Sequence, residues 1–271
     1  GALAAVVPSL QDGDDGIRRA ALQTVGILGQ DPQAGDLVQM LVKTQNAGDR
    51  AAIEKALLAI CGRCGLKCIP PLEPLARSSD PGLRIIGLHA FAIIGGPNAL
   101  ASLKSAMAGP DSAVQDEAVR ILSTWPNSWP QDDEAGEALL AAVTSADKLA
   151  HQVLGMRGYL QYLRGTTKLN HEQKAVRVEE VQSYIKRAEE RHQAVAVLGE
   201  APSAKALELL TAFAEDPAVA EEAYAAMVQI AGQDIGGISS EQRRQVLQQV
   251  IEKSRNEGIQ QKAREVLGAV P

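Results

Sequence analysis

Residues 80–107 read DPGLRIIGLHAFAIIGGPNALASLKSAM, and this stretch decides the fold. Asp80 and Pro81 indicate a helix start, because Asp caps the free amides of a first turn and Pro suits the first helical position. Apolar residues then recur at spacings of three and four, which places them on one helix face. Gly95 and Gly96 end that helix, and a shorter amphipathic segment follows. The stretch therefore predicts a helix, a turn and a second helix.

The pattern that starts at Leu83 returns along the chain as a twelve-residue template. Position one is a large aliphatic residue, position five is mostly small, and positions eight, nine and twelve are mostly apolar. Because one gap between copies is twice the usual length, a degenerate copy is expected at Arg191–Gly199. The recognised copies begin at Ile17, Ile53, Leu83, Val114, Leu149, Val219 and Ile259.

Each copy has one apolar face, so the helix pairs must stack to bury it. The predicted fold class is all-α. It is an α-α superhelix, a HEAT-like or armadillo-type solenoid of about eight helix pairs. An aromatic content of 3% among 45% hydrophobic residues agrees with helices rather than a β-sandwich. We expect a single continuous repeat domain over residues 1–271. The apolar segment 2–10 has no polar outer face, which suggests that the domain is part of a longer chain.

Two further stretches carry a family resemblance. Residues 111–130 read DSAVQDEAVRILSTWPNSWP, and residues 191–231 read RHQAVAVLGEAPSAKALELLTAFAEDPAVAEEAYAAMVQIA. With units of about 35 residues and Asp-Pro at helix starts, the chain resembles the HEAT-repeat family. It is particularly similar to the HEAT-type arrays in large exported proteins of planctomycete-like and related bacteria. This resemblance implies a helical solenoid and a periplasmic or extracellular location, with a cytoplasmic location as the alternative.

Charge and motif content narrow the function classes. A net charge of −6 removes the simplest electrostatic reason for binding nucleic acid. No apolar run reaches the length of a membrane span, so direct membrane insertion is not expected. The four histidines lack metal-binding spacing, and neither a phosphate-binding loop nor a nucleophile elbow occurs. We therefore expect no enzyme activity, no cofactor and no catalytic or metal-binding residues.

The run CGRCGLKC, residues 61–68, holds all three cysteines. A metal site made of the three thiols and His89 is one interpretation, although zinc and iron–sulfur sites usually need four ligands close in the fold. A Cys61–Cys68 disulfide is favoured over it, because Gly62 and Gly65 let the chain double back, and Cys64 would then stay a free thiol. The alternative is that all three are small buried apolar residues.

Two tryptophans lie in the loop TWPNSWPQDD, residues 124–133. Trp125 falls on template position twelve, which predicts a core role. Trp129 has no template position and is the candidate binding residue, since an exposed Trp is a good anchor for sugars or peptides. A role in tacking the loop to the core is the alternative.

Basic residues gather between positions 157 and 191, interleaved with five glutamates. A basic groove for DNA would need a larger positive excess, so we expect a solvated helix face with i,i+4 ion pairs. The basic residues are Arg157, Arg164, Lys168, Lys174, Arg177, Lys186, Arg187 and Arg191.

These observations predict a non-catalytic protein–protein interaction scaffold, a monomeric helical-repeat module of a larger exported bacterial protein. Solenoids usually act through an extended surface, so a protein partner is expected. Two alternatives stay open. One is an accessory module of a carbohydrate-processing protein, with Trp129 as a contact. The other is a bilin lyase-like HEAT protein, for which Cys64 or His89 would be the relevant side chain.

Overall fold

The computed structural model describes residues 2–271 and contains only helices and connecting turns over that range. Short 3-10 turns occupy Val7–Gln11, Gly65–Cys68, Trp125–Asn127 and Gln182–Tyr184. The α-helices are α1 (Ala2–Val6), α2 (Asp15–Leu28), α3 (Asp31–Lys43), α4 (Ala47–Cys64), α5 (Ile69–Ala76), α6 (Pro81–Ile94), α7 (Gly96–Met107), α8 (Ser112–Thr124), α9 (Asp133–Ser145), α10 (Leu149–Gly165), α11 (His171–Val181), α12 (Ala188–Glu200), α13 (Ala204–Phe213), α14 (Ala220–Ala231), α15 (Ser240–Lys253) and α16 (Glu257–Ala269).

The even-numbered helices carry the template, and the odd-numbered helices are their partners. The degenerate copy expected at Arg191–Gly199 lies within α12, so the even-numbered series has eight members. Asp14, Asp80 and Asp132 cap helices with their side chains, as the sequence predicted for Asp80. The predicted all-α fold of about eight helix pairs is confirmed over residues 2–271.

The template register was wrong in α4 and α10. At template position two, an Arg or Gln side chain donates a hydrogen bond to the carbonyl six residues earlier, as Arg84 does to Ser78 at 3.1 Å. Arg50 in α4 and Gln152 in α10 make this same contact, at 2.7 and 2.8 Å. These two copies therefore begin at Asp49 and His151, not at Ile53 and Leu149. Leu149 is the first residue of its helix and is 63% exposed.

Ile53 is buried at position five of the corrected copy. Positions one and five lie on the same helix face, so apolarity alone could not separate the two registers. After correction, position five is small everywhere except at Ile53. Its occupants are Ala21, Ile53, Gly87, Ala118, Gly155, Ala194, Ala223 and Ala263, and all of them are buried.

The small residues let paired helices approach closely. A Cβ built on Gly87 in α6 would lie 3.2 Å from the Leu75 Cβ of α5. One built on Gly155 in α10 would lie 2.9 Å from the Ala142 Cβ of α9. Both contacts are tighter than ordinary van der Waals packing, so the small residue at position five has the packing role that the sequence suggested.

The chain forms two compact units, residues 1–122 and 123–271. Within unit 1, template helices α2, α4 and α6 pack side by side, and so do partner helices α3, α5 and α7. Within unit 2, the same arrangement holds for α10, α12, α14 and α16. The repeat continues through both units, and a single continuous domain stays a prediction. Over residues 2–271, none of the helices has the length and apolar character needed to cross a membrane.

Candidate functional site

An arginine–aspartate ladder joins the starts of successive template helices in unit 1. Arg50 pairs with Asp80 at 2.8 Å, and Arg84 pairs with Asp111 at 3.4 Å. The hydrogen bond from Arg50 is the main reason that the pKa of Asp80 lies below its ordinary value, and the Gly82 amide adds to the effect. Because the same side chains also bind loop carbonyls and cap helices, the ladder serves the architecture.

His89 in α6 bridges two glutamates on neighbouring template helices. Its Nδ1 lies 2.6 Å from Glu54 Oε1 on α4, and its Nε2 lies 2.7 Å from Glu117 Oε1 on α8. The hydrogen bond to Glu54 raises the pKa of His89, burial opposes this, and Glu117 raises it further. Arg120, and then His89, lowers the pKa of Glu117. The geometry fits a doubly protonated imidazole that donates to one carboxylate on each side.

His89 and the three cysteines do not form a common site. Both ring nitrogens of His89 contact glutamates, so neither faces the thiols. Among residues 2–271, no group of three or more His, Cys, Asp and Glu side chains is arranged to hold a metal ion. The interpretation of the cysteines and His89 as a metal site therefore has no geometric support.

The three cysteines nevertheless lie together at the end of α4. All three are free thiols in the structure, with Cys61 and Cys68 fully buried and Cys64 partly exposed. Besides burial, both other thiols act on the pKa of Cys68. Burial raises the pKa of Cys61, and it also raises the pKa of Cys68. The structure thus brings the predicted pair together, while the Cys61–Cys68 disulfide itself stays a prediction.

The tryptophan loop begins with a buried ring and continues with a half-buried one. Trp125 is in the core, and its Nε1 donates to Asp132 Oδ2 at 3.0 Å, which confirms the core role. Trp129 packs on it, with ring centroids 6.3 Å apart and an angle of 44° between the planes. This contact favours a role for Trp129 in holding the loop against the core, and its role as a binding residue stays untested.

Most side chains of the basic segment in unit 2 pair with carboxylates. Arg157 pairs with Glu189 and Arg164 with Glu200, in each case joining neighbouring repeats, and Arg191 reaches Asp216 at 3.1 Å. The local pairs have i,i+3 spacing, as in Arg177–Glu180, and not the expected i,i+4 spacing. The pairs between repeats form because α10, α12 and α14 pack side by side, so that a carboxylate of the next repeat faces these arginines.

Unit 1 also has a surface that the sequence analysis missed. Four large aliphatic side chains are exposed at the C-terminal ends of its first three template helices, and we call them the apolar end surface. Leu66 is 65% exposed and Ile27 62%. The members are Ile27, Leu28, Leu66 and Ile93.

Contacts between the helix ends bring these side chains into one region. Arg63 at the end of α4 donates to the Gly29 carbonyl after α2, at 2.8 Å. The Cγ2 of Ile93 lies 3.5 Å from the Cβ position of Gly62. The Cδ2 of Leu66 lies 3.7 Å from the Cβ position of Gly96. In the sequence, the corresponding signal is an aliphatic residue at template position eleven in Ile27 and Ile93, one residue before the apolar position twelve.

A groove of about 470 Å³ lies elsewhere in unit 1, beside α5, α6 and α7. Small and polar side chains form much of its wall, including Ala76, Ala101, Ser102 and Ser105. Arg84 and Asp111, which belong to the ladder, line one side. The groove therefore offers few groups beyond those that already hold the repeats together.

No family model matches the chain, and no curated protein matches it in sequence. Among solved structures, human deoxyhypusine hydroxylase is 20% identical, with 98% of this chain and 95% of that chain covered and a TM-score of 0.39. Importin beta is 13% identical over 99% of this chain and 42% of its own, with a TM-score of 0.49. An engineered protein is 21% identical over 100% and 96%, with a TM-score of 0.29. At these levels of identity, the likeness concerns helical architecture alone.

Proposed function

We propose that this chain is a non-catalytic protein-interaction scaffold. The observation that carries the proposal is the apolar end surface, since exposed apolar side chains at neighbouring helix ends are typical of protein-binding sites. A partner that covers Leu66 and Ile27 gains about 1 to 2 kcal/mol from each side chain. The surface suits the apolar face of an amphipathic helix, which binds through residues spaced three and four apart.

The polar groups of the molecule support a non-catalytic role. The most perturbed histidine, His89, is occupied by Glu54 and Glu117. The arginines at the helix starts are occupied by aspartates of the next repeat. These groups stabilise neighbouring helices against each other, and such ion-pair networks perturb pKa values without any catalytic task.

The scaffold proposal is tested by capture of partners from the source organism. The double variant Ile27→Ser/Leu66→Ser removes the two most exposed side chains of the apolar end surface. The control is Leu149→Ser, which removes an equally exposed leucine in unit 2. With the double variant alone, we expect the amount of captured protein to fall at least tenfold relative to the unmodified chain. This fall corresponds to roughly 1.4 kcal/mol of binding free energy. Equal capture by all three proteins would contradict the proposal.

We further propose that the scaffold is one module of a larger exported bacterial protein, of the kind found in planctomycete-like bacteria. The resemblance of residues 80–231 to such arrays supports this, and so does the run of three cysteines in residues 61–68, since disulfides form in oxidising compartments. Fractionation of cells that produce the full protein tests the location. Recovery outside the cytoplasm agrees with the proposal, and recovery in the cytoplasm alone contradicts it.

We also propose that the isolated chain is a monomer. Its acidic charge of −6 opposes self-association, and the apolar end surface is small beside a stable dimer interface. Light scattering coupled to size-exclusion chromatography tests this, with 28.6 kDa expected. A mass twice as large, reduced to the monomer mass by Ile27→Ser/Leu66→Ser, would instead make this surface a contact between two copies.

A further inference from the structure

The end of α4 places three thiols on one short stretch of chain. Cys61 and Cys64 are three residues apart in the last turn of the helix, so they lie on the same side. Gly65 follows with a φ of +56°, a backbone conformation that favours glycine, and the 3-10 turn Gly65–Cys68 leads the chain back. This turn packs against α4, and both other thiols act on the pKa of Cys68.

The three thiols differ in access to solvent. Cys61 and Cys68 are completely buried, so an oxidant in solution cannot reach them directly. Cys64 is partly exposed, and its Sγ lies 3.5 Å from Gln30 Oε1. Burial also raises the pKa of Cys61 and Cys68, which disfavours the nucleophilic thiolate form. Any reaction with a solution oxidant therefore begins at Cys64.

We propose that these cysteines form a thiol relay, in which Cys64 receives oxidation, Cys68 carries it inward and Cys61 completes a buried disulfide. The oxidant is a small disulfide or an exposed protein disulfide. The relay does not depend on which partner the scaffold binds, and it concerns a modification site rather than the apolar end surface.

The chemistry of the relay balances in three exchanges. The Cys64 thiolate attacks the external disulfide, forms a mixed disulfide and releases one thiolate, which takes up a proton. Cys68, on losing its proton, attacks the Cys64 sulfur, forms Cys64–Cys68 and releases the second external thiol. Cys61 then loses its proton and attacks the Cys68 sulfur, which forms Cys61–Cys68 and returns Cys64 to a free thiol. Overall, two protein thiols are oxidised and one external disulfide is reduced to two thiols.

The final position of the bond follows from burial. A Cys64–Cys68 disulfide contains the exposed sulfur and is open to attack by external thiols. A Cys61–Cys68 disulfide contains only buried sulfurs, so external thiols reach it slowly. Exchange therefore accumulates the inner bond, and the free Cys64 remains at the surface.

The test uses reduced full chain treated with oxidised glutathione at about pH 8, with thiol counting, intact mass and peptide mapping over time. The unmodified chain is expected to lose two thiols and to end with Cys61–Cys68. Cys64→Ser is expected to react at least tenfold more slowly. Cys68→Ala is expected to stop with one glutathione on Cys64, and Cys61→Ala to end as Cys64–Cys68. Circular dichroism verifies that each variant is folded, and Leu66→Ala serves as a turn variant with all three thiols.

Two results would overturn the relay. If Cys64→Ser forms the Cys61–Cys68 bond at the unmodified rate, Cys64 is not the point of entry. If the unmodified chain keeps three thiols, or holds Cys64–Cys68 as its final bond, transfer to Cys61 does not occur. Cys64→Ser alters a partly exposed side chain, so the first comparison does not depend on the tolerance of the core to substitution.

Discussion

Two repeats of the chain, that of α6 in unit 1 and that of α10 in unit 2, use different means to hold the same template together. In unit 1, arginines at position two reach aspartates of the next repeat, as in Arg50–Asp80 and Arg84–Asp111. In the first repeat of unit 2, position two is Gln152, which keeps the contact to the loop carbonyl and carries no charge for a ladder. There, α9 and α10 approach closely instead through glycines. The repeat of α10 therefore lacks the charged link and has the closer packing within its helix pair, 2.9 Å at Gly155 against 3.2 Å at Gly87.

The largest expected effect comes from the glycine contacts between α9 and α10. A Cβ on Gly158 would lie 2.6 Å from Leu139 Cδ2 and 2.9 Å from both the Ser123 Cα and the Ser123 carbonyl oxygen. Because part of this wall is backbone, it cannot rotate away. Gly158→Ala is therefore expected to lower the free energy of unfolding by about 3 kcal/mol, the upper range for overpacking. Urea unfolding measures the loss, and hydrogen exchange of α9 and α10 localises it.

The matched control is Gly268→Ala, in the last helix. No atom lies within 4 Å of the Cβ position of Gly268, and its backbone is helical. Alanine there is expected to raise the free energy of unfolding by about 0.5 to 1 kcal/mol, because Ala is the better helix former. If the two alanine variants have the same stability, close packing does not hold α9 and α10 together.

The polar side of the comparison is tested at Arg50. Arg50→Ala removes an ion pair to Asp80 and a hydrogen bond to the Thr44 carbonyl, both in partly buried surroundings. We expect a loss of about 1 to 2 kcal/mol in unfolding free energy. NMR titration should also show the pKa of Asp80 rising toward its ordinary value, because Arg50 is the main cause of its depression.

Arg77→Ala is the control for the ladder. Arg77, the residue after α5, pairs with Glu73 in that helix, but both side chains are mostly exposed, so the variant should change stability by less than about 0.5 kcal/mol. An equal effect of Arg50→Ala and Arg77→Ala would mean that the ladder contributes no more than an ordinary surface ion pair.

The smallest expected effect depends on pH and concerns His89. Its pKa is raised in the folded chain, so its contribution to stability is complete below the unfolded value of 6.5 and is lost as pH rises through the folded pKa. Glu117 has a lowered pKa, so its share is lost as pH falls below the ordinary 4.5. Compared with His89→Gln, the unmodified chain should gain about 1 kcal/mol near pH 6 and little at pH 9.

The His89 prediction is checked by urea unfolding of both proteins at several pH values. The groups that act on His89 are Glu54 from α4 and Glu117 from α8, and Arg120 acts through Glu117. His192→Gln is a useful control, because His192 pairs with the exposed Glu222 in unit 2. A stability difference for His89→Gln that does not change between pH 6 and pH 9 would exclude a protonated bridge.

Local signals in the sequence predicted most of the fold. Capping residues such as Asp80, glycine stops and apolar spacing identified the template helices and even the degenerate copy in α12. The register in α4 and α10 could not be predicted the same way, because positions one and five share a buried face. The hydrogen bond from Arg50 or Gln152 distinguishes the two registers, and it becomes visible only when the helix start is known.

The site features depend on contacts between repeats, which spacing along one helix does not reveal. The proximity of Cys61 and Cys68 was predictable because only six residues, two of them glycines, separate them. The Glu54–His89–Glu117 bridge was not, since its members occupy different template positions in three helices. The apolar end surface was missed because Ile27 and Ile93 look like core residues, and only the packing of the helix ends shows that they are exposed.

The His89 bridge also bears on how unit 1 loses its structure. In a linear array each repeat is coupled to its immediate neighbours, and segments can fray one at a time from an end. Because His89 contacts the repeats on both sides, unfolding of α6 also breaks its contacts with Glu54 on α4 and Glu117 on α8. Around pH 6, the helices α4, α6 and α8 should therefore melt in one cooperative step, and above the folded pKa of His89 the same array should become able to open repeat by repeat.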